Sequence, residues 1–111
     1  MIESLPDTIG GLGELVKLNL AHNRLSTVPE TIIQCTRLHE LYLSSNHIKR
    51  LPMHLGKCTP LRILDLQSNL IVEIPANLAC LINLRRIYLG KNLLRALPLD
   101  IVNLCETVDE L

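Results

Sequence analysis

One spacing governs this chain: Leu15, Leu38, Leu61 and Leu84 stand 23 residues apart, and each opens the same pattern of apolar and variable positions. The first copy, residues 15–25, reads L-V-K-L-N-L-A-H-N-R-L, and it returns at 38–48, 61–71 and 84–94. Asn23, Asn46, Asn69 and Asn92 keep the period, and so do Pro6, Pro29, Pro52, Pro75 and Pro98, each behind a Leu, Val or Ile. A fixed period of this length predicts a solenoid, because one short unit cannot bury its apolar face alone and must stack on copies of itself.

Within a unit the pattern L-x-x-L-x-L alternates apolar and variable residues, which is the signature of a strand with one buried face. Successive strands are separated by about seventeen residues, too many for a hairpin, so they are expected to run parallel. Four strands are predicted, near 15–22, 38–45, 61–68 and 84–91. The return segments place apolar residues three to four apart behind a proline suited to a first helical turn, and so predict short helical or 3₁₀ turns. The single domain, 1–111, would begin with a partial unit at 1–14 and end with a partial unit or cap at 97–111. Thr107 and Glu110 stand one period after Leu84 and Ile87, so the period signals no fifth strand. Glu106, Asp109 and Glu110 would make the tail a polar cap or a frayed end.

Each periodic Asn follows a strand. Its amide offers donors and an acceptor to bare backbone groups, and four at one position predict a ladder along the stack rather than a binding site. Cys35 and Cys58 fall where Leu12, Leu81 and Leu104 stand in other units, so they are expected to act as small core residues with reduced thiols. With no basic, apolar leader at Met1 and no apolar run long enough to span a bilayer, a cytoplasmic setting is expected.

Acidic and basic residues balance at 11 each, so no overall field favours nucleic acid or a membrane surface. His54 and Cys58 have metal-ligand spacing on a helix but lack a completing pair, and His22, His39 and His47 lack a placed nucleophile. The chain is therefore expected to be no enzyme and to need no cofactor.

The unit L-P-x-x-I-x-x-L-x-x-L-x-x-L-x-L-x-x-N-x-L-x-x, nearly complete over residues 5–27, resembles the leucine-rich repeat. Its 23-residue length and Leu-Pro start are similar to the intracellular subclass of Ras-binding scaffolds, Scribble and Erbin polarity proteins and Roco-type kinases. The resemblance implies an α/β fold: a right-handed horseshoe arc with a parallel sheet on the concave side and short turns on the convex side. It also implies a concave face that binds a protein, such as a small GTPase or another signalling protein, in the manner of a scaffold or adaptor.

The variable residues beside the leucines supply that face: Lys17 and Asn19; His39, Glu40 and Tyr42; Arg62 and Asp65; Arg85, Arg86, Tyr88 and Lys91. Tyr42 and Tyr88 are the only aromatic residues, and they share a column with Asp65 between them. Tyrosine suits an interface centre because it presents a large rigid area with a polar tip. Arg62, Arg85, Arg86 and Lys91 form a patch that could receive an acidic segment. Two other readings remain open: a recognition segment of a kinase, phosphatase or ubiquitin ligase, and a structural piece of a longer array that self-associates through open ends.

Overall fold

The computed structural model describes residues 1–95 together with the backbone of a strand at Thr107–Val108. Its strands are β1 (Lys17–Asn19), β2 (Glu40–Tyr42), β3 (Ile63–Asp65), β4 (Arg86–Tyr88) and β5 (Thr107–Val108), in that spatial order and all parallel. Each strand lies against its neighbour in sequence, so the sheet is a stack of successive units. The strands are shorter than the eight residues expected for each, yet pairing continues past them: the Leu20 amide donates to the Tyr42 carbonyl at 2.8 Å and the His22 amide to that of Ser44 at 2.9 Å.

The returns are 3₁₀ turns: η1 (Asp7–Gly11), η2 (Glu30–Gln34), η3 (Leu55–Lys57) and η4 (Ala76–Cys80). Pro6, Pro29 and Pro75 stand just before η1, η2 and η4, in extended backbone that cannot continue a helix backwards. At the far end the amides of Leu12, Cys35, Cys58 and Leu81 each bond the carbonyl three residues back. A turn this short gains too few bonds to offset an α-helical nucleus, and the tighter ring wins.

Leu41, Leu43, Leu64, Leu66, Ile87 and Leu89 point inward from the sheet and meet Ile32, Leu55 and Leu78 from the turns. Two glycines let the turns approach closely. A Cβ on Gly56 would run into the carbonyl of Asn77, and one on Gly10 would lie 2.7 Å from that of Thr31.

The asparagines form the expected ladder. Asn46 Oδ1 accepts from the Leu25 amide at 2.9 Å, and its Nδ2 donates to the carbonyls of Leu43, Ser44 and, one unit back, Leu20. Asn69 repeats this set with Ile48, Leu66, Gln67 and Leu43, and Asn92 with Ile71, Leu89, Gly90 and Leu66. Asn23 accepts from Ile2 and donates only within its own turn, to Leu20 and Ala21. The residue before each ladder Asn is left-handed although none is glycine: His22, Ser45, Ser68 and Lys91 have φ between 56° and 60°.

Two expectations are corrected. A fifth strand exists, and it pairs Arg86 with Thr107 and Ile87 with Val108. The last unit closes two residues early, so an aliphatic Val stands in register with Ile87 where strict periodicity would have put Glu110. Leu12 is 52% exposed, whereas Cys35 and Cys58 at the equivalent position are buried. In the first unit no earlier turn lies over that position. Leu104 and the proposed acidic cap fall outside the described residues, apart from the β5 backbone.

Candidate functional site

Because side chains alternate along a strand, the residues flanking each inward leucine share the outer face. The register sets them in two columns, Lys17–Glu40–Ile63–Arg86 and Asn19–Tyr42–Asp65–Tyr88. The two tyrosines therefore stand in one column with Asp65 between them, as the period implied. His39, Arg62 and Arg85 form a third column one residue before the strands. Lys91 alone leaves this arrangement, since it lies in the left-handed turn beyond β4.

Tyr42 is held from two sides. Its hydroxyl donates to Glu40 Oε1, two residues back on the same face, and Lys17 Nζ sits 5.5 Å from the ring centroid. The phenol is pushed up to about 12, first by that hydrogen bond, then by burial and by the carboxylates of Glu40 and Asp65. Asp65 Oδ1 accepts from the amide of Gln67 at 3.2 Å and from its Nε2 at 3.3 Å. Asn19 Oδ1 accepts from the Ala21 amide at 3.1 Å. These side chains are fixed before any partner arrives, which lowers the entropy lost on binding.

Beside the tyrosine column, His39, Glu40, Arg62, Ile63, Arg85 and Arg86 line a shallow hollow of about 360 Å³. It brings together most of the predicted basic patch. Lys17 and Asn19 belong to the opposite end of the sheet, and Lys91 to the turn side.

Thiol and metal chemistry find little support. Burial raises the Cys35 thiol, and it pushes Cys58 up to about 11 with Cys35 adding a smaller effect. Both Sγ atoms point at carbonyls of the preceding unit, Ile9 and Ile32. Cys58 therefore cannot join exposed His54 on a metal, and no group of three potential ligands occurs among the described residues.

One surface escaped the sequence reading. Leu70, Val72 and Leu93 are exposed on the flank behind the ladder, where they line a second hollow of about 420 Å³ with Lys49, Arg50 and Glu73. The signal was present: the position after the ladder Asn is Arg24 and His47 in two units but Leu70 and Leu93 in the next two.

The leucine rich repeat family matches residues 2–48 and 36–94, and the chain belongs to that family. A leucine-rich-repeat protein of Leptospira interrogans superimposes with a TM-score of 0.91 at 28% identity, over 99% of this chain and 29% of that one. The leucine-rich-repeat ectodomain of the receptor kinase SOBIR1 from Arabidopsis thaliana gives 0.85 at 32% identity, over 96% of this chain and 61% of that one. The chain thus spans under two thirds of each. No curated protein sequence matches it. Members of this family are in general binding modules for other proteins.

Proposed function

We propose that this chain is a protein-interaction module of scaffold or adaptor type, with its partner laid across the outer face of the sheet. The observation that carries this reading is Tyr42, fixed by Lys17 and Glu40 in the same column as Asp65 and Tyr88. Prearranged aromatic side chains with polar tips, rimmed by charge, are what interface centres are made of. Buried thiols at Cys35 and Cys58, neither in a disulfide, support a cytoplasmic setting. The Leu-Pro subclass resemblance adds a small GTPase or similar signalling protein as the partner class.

The test is a comparative capture from cell extract with the wild-type chain, a Tyr42→Ala/Tyr88→Ala/Arg86→Ala variant and the convex-side control Lys57→Ala. Partners retained by wild type and control but lost by the triple variant support the face. A partner set indifferent to the triple substitution rejects it, provided the variant melts as cooperatively as wild type.

A second reading is favoured by the 32% identity to the SOBIR1 ectodomain: a recognition segment of a larger receptor or enzyme. A transcript that continues the frame into a catalytic domain would decide for it.

A further inference from the structure

The sheet has an open edge at its first strand. β1 pairs with β2 on one side, and among the described residues no strand lies on the other. The Val16 carbonyl accepts from the Glu40 amide, and the Leu20 and His22 amides donate to the carbonyls of Tyr42 and Ser44. The even-numbered residues therefore turn their backbone groups toward β2. In a parallel pair successive residues turn to opposite sides, so the amides and carbonyls of Lys17 and Asn19 face outward. The next amide on that side, Ala21, is already capped by Asn19 Oδ1 at 3.1 Å.

The side chains around this edge are apolar. Cys35 and Leu38, covered by the unit before them, are fully buried, whereas Leu12 is exposed and Leu15 half-buried at the same positions. With Gly11, Gly13 and Glu14 they line a notch of about 410 Å³, and a Cβ on either glycine would meet nothing within 4 Å. Past the other end of β1, exposed Ile2 stands one unit further out. Its amide donates to Asn23 Oδ1 and its carbonyl accepts from the Arg24 amide. One end face thus carries an apolar notch at the start of its edge strand and an apolar projection beyond the strand's end.

Such a face is complementary to itself. A two-fold axis at Leu18, perpendicular to the sheet, would run β1 of a second copy antiparallel to the first. Lys17 and Asn19 then exchange both backbone bonds with Asn19 and Lys17 of the second copy, and every outward group is used. Centring on Lys17 would oppose like charges, and centring on Asn19 would meet the capped Ala21 amide. The same axis sets the start of one edge strand against the end of the other. Glu14 then lies toward the turn that carries His22 and Arg24 of the second copy, opposite in charge, and the notch meets Ile2. Closed two-fold contacts have this reciprocity, residue i on j and j on i. We propose that the open edge of β1 docks a second copy of this chain, paired antiparallel through Lys17 and Asn19, with Ile2 of each copy seated in the notch of the other. The two sheets become continuous, their outer faces lie on one side, and the pair presents the tyrosine column twice.

Sedimentation equilibrium of the full chain across the micromolar range tests this. The mass should rise from 12.5 kDa toward twice that and stop there. Gly11→Gln/Gly13→Gln fills the notch without crowding its own chain, so it should weaken association about tenfold or more without lowering the melting midpoint of the monomer. Lys17→Pro removes an outward amide and none that serves β2, and it should act in the same direction. Hydrogen exchange at the Lys17 and Asn19 amides should slow as protein concentration rises. A chain that stays at 12.5 kDa overturns the proposal, and so does a dimer indifferent to both variants. If Tyr42→Ala/Tyr88→Ala abolishes that indifferent dimer, the contact is on the outer face instead. A mass that climbs past two copies means head-to-tail stacking and overturns the two-fold.

Discussion

Asn46 is 4% exposed and satisfies backbone groups on both of its neighbouring turns. Replacing it with Ala would strand the buried Leu25 amide and take one of two donors from each of the Leu20 and Leu43 carbonyls, which keep Asn23 and Asn69. Because an unsatisfied buried group costs about 1–3 kcal/mol, Asn46→Ala should lose about that much in urea unfolding. Asn23→Ala should lose clearly less, since Asn23 is half-buried, donates only within its own turn, and its bond with the Ile2 amide lies exposed. Equal losses would mean that burial of the cross-unit bonds contributes nothing. Ser68 offers a second comparison: at φ 56° a β-branched side chain is strained, so Ser68→Val should cost about 1–2 kcal/mol while Ser68→Gly should be near neutral. The asparagines were legible because one side chain at a fixed period has one physical use. The left-handed residues were not, because His22, Ser45, Ser68 and Lys91 share no conformational signature that glycine would have supplied.

At the scale of the element, register does most of the positioning. The column shared by Tyr42, Asp65 and Tyr88 could be read from the period and the alternation of a strand. The bond from Tyr42 to Glu40 needed only the further step that residues two apart share a face. Its effect on titration has a definite sign. The folded state raises the phenol from its ordinary 10.0 to about 12, so it holds the proton where the unfolded chain begins to lose it. The stability linked to this group is whole below pH 10, and it is lost as pH rises toward 12. In a Tyr88→Phe background, phenolate absorbance should therefore show Tyr42 ionising late, and Glu40→Ala should bring the midpoint down toward 10. An unmoved midpoint would remove the hydrogen bond as the cause. On the opposite side of the sheet, Gly56→Ala would drive a methyl into the Asn77 backbone, which must shift as a whole. Overpacking of this kind costs about 1–3 kcal/mol, so a lowered melting midpoint is expected. Nothing in the period announced this contact, because Gly10 and Gly56 alternate with Ile33 and Ala79.

Across the whole molecule, the fold was legible because every unit repeats one instruction, and each element packs on the next copy of itself. What the period could not show were its own exceptions. Leu12 obeys the pattern yet lies open, since burial at that position is supplied by the preceding unit. β5 breaks the pattern yet pairs, since the last return is two residues shorter. The proposed binding face was legible as a set of positions. The contact of Lys17 with the Tyr42 ring was not, because it depends on which variable residues meet across units.

The ladder has one more use. The amides of Leu25, Ile48 and Ile71 each donate to an asparagine of the following unit, Asn46, Asn69 and Asn92, at 2.9 to 3.0 Å. None of these protons can meet solvent until its own pair of units parts. In native-state hydrogen exchange they should behave as separate gauges, one for each seam of the stack. Their order of release would show from which end the stack comes apart.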